Sequence, residues 1–209
     1  MMVDCPQYPR PLELPWRQPP VSLSRLARRL PLILLGLLCF SAPPCIGRNC
    51  HRPRQSECVS NLKWIFVSLM TQQRREGLLP PAFDTLGLRL ERGNRYAYFL
   101  SDGPMETRDT LEAQNVAGAL AIGVDTFKFK GARPLKFKHL PPDVASQVGT
   151  QGTCPDCQYV AACAGDTDNN PLDAPDVWSI ATMDRVIDGK PVPGGEPYHH
   201  VNDVETHGP

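Results

Sequence analysis

The stretch TCPDCQYVAACAGDTDNNPLDAPDVWSI, residues 153–180, decides how this chain folds. It combines Cys154, Cys157 and Cys163 with a run of carboxylates and a short apolar segment around Trp178. Such a loop is too small to bury a core of its own, so we expect a covalent bond or a ligand to hold it. Trp178 is expected in the core beneath the loop.

The three thiols leave more than one interpretation open. In an oxidising compartment we expect Cys154 to pair with Cys157 or Cys163, which would stabilise the fold by about 2–4 kcal/mol through the unfolded state. In a reducing compartment the alternatives are free or redox-active thiols, or zinc. A structural zinc site usually takes two such pairs, and the sequence holds one Cys-x-x-Cys. A disulfide is therefore favoured.

The acidic run after the cysteines offers oxygen ligands at alternate positions. Asp166, Asp168 and Asp173 are the predicted ligands of a calcium ion, because calcium prefers carboxylate and carbonyl oxygens. The run lacks the glycine and the final glutamate of an EF-hand loop. The competing interpretation is an exposed turn whose Asp and Asn side chains bond their own backbone. Apart from this calcium ion, the sequence predicts no cofactor.

Charge is distributed unevenly along the 209 residues, although the net charge is zero. Residues 1–63 hold nine Lys or Arg against three Asp or Glu, and residues 151–209 hold two against ten. This polarity is typical of a protein whose N-terminus meets an anionic membrane surface and whose C-terminal part faces solvent. The hydrophobic content of 41% is sufficient for one domain with a core of its own.

Two segments precede the predicted domain. Residues 1–29 are rich in proline and arginine and predict a disordered basic leader. Residues 30–46 contain an apolar run that is shorter than the roughly 20 residues of a membrane span, which is typical of an export signal or anchor. A buried helix is the other interpretation. Export would place the chain at the cell surface, in the inner membrane or in the medium, and would favour disulfides.

One amphipathic helix is predicted over residues 56–77. Apolar side chains recur there at spacings of three and four, with Ser56 as the N-cap and Gly77 as the stop. The stripe that we expect to face the core consists of Val59, Leu62, Ile65, Phe66 and Leu69, extended by Met70.

Strands are predicted after the helix. Gly93 and Asn94 supply a turn, and the strand that follows places Tyr96, Tyr98 and Leu100 on one face. Residues 124–139 indicate a hairpin, because apolar and charged residues alternate on both sides of a central turn. Its predicted core face consists of Phe127, Phe129, Leu135 and Phe137.

Lysines occupy the other face of the predicted hairpin. The four residues are Lys128, Lys130, Lys136 and Lys138. A solvated edge is the favoured interpretation, and binding of an anionic polymer such as DNA or polysaccharide is the alternative. No sequence-specific binding of nucleic acid is predicted.

The sequence carries no motif of a known catalytic class. It has no Gly-x-Ser-x-Gly elbow, no His-Glu-x-x-His, no P-loop and no dinucleotide fingerprint. His199 and His200 lie near Asp203, but in a Gly- and Pro-rich tail we expect them to be solvated. The prediction is a protein that is not an enzyme.

Four blocks of sequence carry a family resemblance. They are RQSE at residues 54–57, GLRLERGNRYAYF at 87–99, CPDCQYVAACAGDTDNN with DVWSI at 154–180, and GGEPYHHVNDV at 194–204. In order, spacing and character they resemble the type IV pilins of gliding, myxobacteria-like organisms. The resemblance covers residues 54–204 and leaves a tail at 205–209.

The resemblance implies an α+β, pilin-like fold. A long N-terminal helix would pack on a small antiparallel sheet, closed by a disulfide-bonded C-terminal region. It also implies a structural subunit of a cell-surface filament that serves motility or adhesion. The implied partners are other pilin subunits, the pilus assembly machinery and, through the N-terminus, the inner membrane.

Residues 30–46 depart from the family pattern. Pilins begin with a basic leader, a Gly-Phe cleavage junction and a glutamate within an unbroken apolar helix, and this prepilin motif is not found here. Three accounts are open: a divergent pilin-like protein exported by the general route, a pilin fragment fused to an unrelated start, or a misassigned start. The alternative function is a secreted monomeric binding module for a polyanion or surface ligand, using the lysines or the acidic loop.

Overall fold

The computed structural model describes the chain from the predicted amphipathic helix onward. The described residues are 51–77, 82–112, 116–154 and 156–204. The predicted leader, apolar segment and tail, residues 1–29, 30–46 and 205–209, lie outside them. None of the described helices combines the length and apolar character that a membrane span requires.

The chain is α+β, with one long helix, a largely antiparallel sheet and disulfides, as predicted. Helix α1 spans His51–Glu76 and ends where Gly77 adopts a φ of +70°. Glycine takes this left-handed conformation at little cost, which explains why the helix stops there. Arg74 and Arg75 lie in the last turn, where positive charge complements the carbonyl end of the helix.

The predicted N-cap at Ser56 is wrong, because α1 already includes the residues before it. Tertiary hydrogen bonds hold this first part of the helix. The Arg54 guanidinium donates to the carbonyl of Thr167, and the Gln55 amide donates to Asp176 at 3.1 Å. Both acceptors lie more than a hundred residues away, so the local pattern gave no indication of them.

Nine strands follow α1 in the described residues. They are β1 Tyr96–Phe99, β2 Met105–Glu106, β3 Ala121–Ile122, β4 Gly149–Gln151, β5 Gln158–Gly165, β6 Asp176–Ala181, β7 Arg185–Ile187, β8 Lys190–Val192 and β9 Tyr198–Val201. A 3₁₀ turn, Phe137–His139, and the one-turn helix α2, Pro142–Ala145, precede β4.

Seven of these strands form one sheet in the order β2-β3-β1-β5-β6-β9, with β4 pairing beside the start of β5. All its pairs are antiparallel except β2 with β3. Strands β7 and β8 form a separate hairpin. The long strand β5 therefore occupies the middle of the sheet, between β1 and β6.

The two faces of the sheet belong to different apolar clusters. One cluster joins α1 to the sheet and includes Cys58, Leu62, Ile65, Leu69, Tyr96, Tyr98, Leu100, Ala161, Cys163 and Ile180. The opposite cluster joins the sheet to the segment that carries α2 and includes Ala97, Phe99, Leu135, Leu140, Val144, Ala162, Ala164 and Val177. The common face predicted for Tyr96, Tyr98 and Leu100 is confirmed.

Within the predicted stripe of α1, burial is uneven. Leu62, Ile65 and Leu69 are buried, and Phe66 packs partly buried against the same cluster. Val59 is half-buried, while the neighbouring Cys58 is completely enclosed. The buried stripe thus begins with Cys58, one residue before Val59, where the apolar pattern had placed its start.

The predicted hairpin over residues 124–139 is wrong, because these described residues contain no strand. The carbonyl of Asp125 accepts the backbone N–H groups of Lys128 and Phe129, which winds the segment into turns. The Asp125 carboxylate also accepts the N–H groups of Gly93 and Asn94 at 2.6 and 2.7 Å. Turns that begin at a buried aspartate thus stand where alternation predicted strands.

Candidate functional site

Two disulfides fix the region around β5. Cys58 of α1 is bonded to Cys163 of β5, and Cys154 is bonded to Cys157 in the loop before that strand. Cys58 and Cys163 are both fully buried. Cys163, predicted among the loop thiols, is therefore joined to the helix. The signal that reasoning from the sequence missed is spacing, because Cys58 lies four residues before Leu62 on the buried stripe.

A single carboxylate connects four elements of the fold, and we call this arrangement the Asp176 junction. Asp176 is fully buried; its Oδ2 accepts from the Tyr96 hydroxyl at 2.7 Å and from the Trp178 indole N–H at 2.8 Å. Its Oδ1 accepts from Gln55 and lies 2.7 Å from Nε2 of His199. Burial, and next the charge of Asp176, raise the pKa of Tyr96 far above its usual range, so this hydroxyl stays a donor.

The Trp178 side chain, predicted beneath the cysteine loop, belongs to this junction. It is half-buried and stacks on the ring of His199, with centroids 3.8 Å apart and an interplanar angle of 9°. His199 and His200 lie in strand β9, so their predicted placement in a solvated tail is wrong. Pairing of β9 with β6 brings them inward.

A second carboxylate from α1 reaches the start of β1. Oε1 of Glu57 accepts the backbone N–H of Arg95 at 2.9 Å and lies 3.4 Å from both the N–H of Tyr96 and the hydroxyl of Tyr98. Burial raises the pKa of Glu57, while these hydrogen bonds act in the opposite direction. Asn61, one turn later, donates to the Tyr98 hydroxyl at 2.7 Å. Polar contacts thus reinforce the apolar contact between helix and sheet.

The other side of α1 is open to solvent. Trp64 is 63% exposed and Val67 is 52% exposed, although both are large and apolar. Ser60 and Thr71 are also exposed and follow the same spacing of three or four residues, which places all four on one side of the helix. We call these four residues the outward face of α1. Exposed aromatic side chains are enriched where proteins associate.

Three carboxylates form a group that we call the acidic cluster. It consists of Asp166, Asp168 and Asp203, each with one oxygen within 4.8 Å of the others. The cluster contains two of the predicted calcium ligands but not the third, Asp173. The carboxylate of Asp173 accepts from the Asn170 side chain at 3.5 Å, and its carbonyl accepts from Arg133 at 3.3 Å. Asp203 takes its place because strand β9 carries the chain back to the end of β5.

The lysines predicted to bind a polyanion are all exposed. They are Lys128, Lys130, Lys136 and Lys138. They lie on the turns and the 3₁₀ segment between β3 and α2 rather than on a strand. Their binding of an anionic polymer stays a prediction.

A serine and a histidine are paired within the sheet. Oγ of Ser179 lies 2.7 Å from Nε2 of His200, and Arg185 donates to the same oxygen at 3.1 Å. Burial, assisted by the charge of Arg185, lowers the pKa of His200 to about 4. Ser179 has no exposed surface, so the pair connects β6 with β9 and offers no nucleophile to a substrate.

Comparison with known proteins agrees with the resemblance carried by the four sequence blocks. The family model described as type IV pilin PilA matches residues 50–174. The chain is also similar to the type IV major pilin protein PilA of Myxococcus xanthus (strain DK1622), with 29% identity over 197 residues that cover 84% of this chain and 88% of that protein. The family match includes α1 and the cysteines of both disulfides.

Proposed function

Because the chain belongs to the type IV pilin PilA family and is a structural subunit of a type IV pilus, we propose that its copies associate through the outward face of α1. The observation that carries this proposal is the 63% exposure of Trp64 beside the half-exposed Val67. A tryptophan so placed is a typical anchor of a protein interface. The partner is a neighbouring copy of the chain.

The two sides of α1 have different roles in this proposal: one packs within the chain, and the other contacts a neighbouring copy. The inward side is occupied by the sheet, through Leu62, Ile65 and the disulfide of Cys58. The outward face has no such cover from the described residues of the same chain. Association through that face leaves the sheet and its loops on the outside of the assembly, where they meet solvent and other surfaces.

The proposed location is the cell surface. The disulfides support it, because such bonds persist in oxidising compartments outside the cytoplasm. We propose that the pilus assembly machinery delivers the subunit. We also propose that the N-terminal part of the chain contacts the membrane before assembly. The pilin family is structural, and we propose a role in motility or adhesion that involves no catalysis.

The experiment compares variants of the outward face, each expressed in place of the native gene in the cells that normally carry it. Filaments are sheared from the cells, and the subunit is quantified in the sheared, membrane and medium fractions. We expect Trp64→Ala to lower the sheared fraction at least tenfold, because loss of an interface anchor costs about 2 kcal/mol or more.

A matched pair of valines supplies the control. Val67→Asp places a charge on the outward face, whereas Val186→Asp places the same charge on β7, where Val186 is 74% exposed. We expect Val67→Asp to reduce filaments and Val186→Asp to leave them unchanged, with similar melting temperatures for both. Wild-type filament yield from Trp64→Ala and Val67→Asp, or a wild-type chain found only as a monomer in the medium, would refute the proposal.

A further inference from the structure

We propose that the acidic cluster is a calcium site that fastens the segment after β9 to the loop after β5. One oxygen from each of Asp166, Asp168 and Asp203 lies within 4.8 Å of the others. Calcium bonds oxygen at about 2.3–2.6 Å, so two ligands of one ion are separated by at most about 5 Å. The three oxygens are thus already spaced as ligands of a single ion.

A second observation points to a ligand at this position. Asp166 is only 9% exposed, and among the described residues its Oδ1 is enclosed without a hydrogen-bond partner. A buried carboxylate oxygen without a donor is destabilising, and native proteins satisfy nearly all such atoms. A bound cation would supply the partner that the chain does not.

The remaining carboxylates are held in place by their own hydrogen bonds. Asp203 is fully buried and accepts the N–H of Thr167 at 2.6 Å and the hydroxyl of the same residue. Oδ1 of Asp168 accepts the N–H of Asn170 at 2.9 Å. Each carboxylate oxygen has two lone pairs, so these bonds leave capacity for a metal ion.

The electrostatics of the cluster favour a cation. Burial raises the pKa of Asp166, and the charges of Asp168 and Asp203 raise it further. Burial likewise raises the pKa of Asp203, with the charges of Asp176 and Asp168 adding to it. A divalent ion between these groups removes their mutual repulsion.

Two guanidinium groups oppose this negative charge. Arg54 donates to the carbonyl of Thr167, beside the cluster, and Arg95 interacts electrostatically with Asp166. Three carboxylates and two guanidinium groups leave one net negative charge. We therefore expect weak binding, of the 10⁻⁴–10⁻³ M class that is found in extracellular calcium modules.

The test uses the purified full chain, freed of metal with a chelator and then dialysed. Its melting temperature is measured without metal, with 10 mM CaCl₂ and with 10 mM MgCl₂. With a Kd of about 1 mM, calcium should raise the melting temperature by about 3–6 °C. Magnesium should do much less, because it demands near-ideal octahedral geometry and dehydrates reluctantly. Calorimetric titration with CaCl₂ should show one ion per chain.

Two Asp→Asn variants locate the site. Asp166→Asn should abolish the calcium shift. It should not lower the melting temperature in the absence of metal, because it removes a negative charge that is repelled by Asp168 and Asp203 and whose Oδ1 accepts no hydrogen bond from the described residues. Asp173→Asn, the matched control outside the cluster, should keep the whole shift.

The proposal is overturned by no calcium shift in the wild type, by an equal shift with magnesium, or by a shift that survives Asp166→Asn. These measurements concern single chains. Their failure is therefore distinguishable from failure of the filament proposal, which the outward face of α1 decides.

Discussion

Replacing Cys58 and Cys163 together by alanine removes the covalent link between α1 and β5. The bond closes a loop with a sequence separation of 105, for which the chain-entropy relation gives about 16 cal/mol/K, or about 4.8 kcal/mol at 25 °C. The bond between Cys154 and Cys157 has a separation of three, and the same relation gives about 1.6 kcal/mol. The two double variants should therefore differ about threefold in their effect on stability.

Urea unfolding of the full chain under non-reducing conditions measures both effects. We expect the Cys58→Ala/Cys163→Ala variant to lose about 3–5 kcal/mol of unfolding free energy. In a thermal melt the same loss should lower the melting temperature by about 6–20 °C. Its m-value should rise, because the unfolded chain is no longer cross-linked and exposes more surface. A loss below about 1 kcal/mol, or an equal loss from the Cys154→Ala/Cys157→Ala variant, would refute the reasoning.

Two further changes test the interior of the sheet. The pKa of His200 is about 4 in the folded chain, against the ordinary value of 6.5, so between these pH values the unfolded chain binds more protons and stability rises with pH. The wild type should lose at most about 3 kcal/mol as the pH falls through this window, and His200→Gln should flatten the profile measured by urea unfolding. A Cβ added at Gly165 would lie 2.6 Å from the ring of Tyr96, so Gly165→Ala should destabilise by about 1–3 kcal/mol. A melting temperature within a degree of the wild type would contradict that expectation.

The parts of the fold that the sequence predicted are those set by local periodicity. Leu62, Ile65 and Leu69 recur at helical spacing, and Tyr96 and Tyr98 alternate along a strand. Such periods mark a buried face within a short window, so the main parts of α1 and β1 were predicted without knowledge of the rest of the chain. The succession of a helix and then strands followed from the same local signals, whereas the pilin-like fold was implied by the resemblance of the four sequence blocks.

The predictions that were wrong depended on distant contacts. Alternation between Phe127 and Phe137 indicated strands, but the backbone carbonyl of Asp125 closes a turn there, while its buried carboxylate bonds the distant Gly93. The helix continues before Ser56 because Arg54 and Gln55 bond residues near the other end of the chain. No window of neighbouring residues contains that information.

The candidate sites show the same division. Asp166 and Asp168 are close in sequence and were identified together, whereas Asp203 joins them only because β9 pairs with β6. The partner of Cys163 was missed for a related reason, since Cys58 is separated from it by most of the described chain. The order in which the strands pair, rather than the residue type, brings Asp203 to the acidic cluster, and the contact between α1 and the sheet brings Cys58 to Cys163.

The bond between Cys58 and Cys163 also has a mechanical consequence. A pilus transmits tension, and a pull on α1 must pass to the sheet that packs against one side of it. Apolar contacts and hydrogen bonds slide or break one after another under a sustained load, but the sulfur–sulfur bond carries that load directly into β5, the strand flanked on both sides by neighbours. Helix and sheet therefore cannot be pulled apart at this point without breaking a covalent bond, and the subunit would extend elsewhere first.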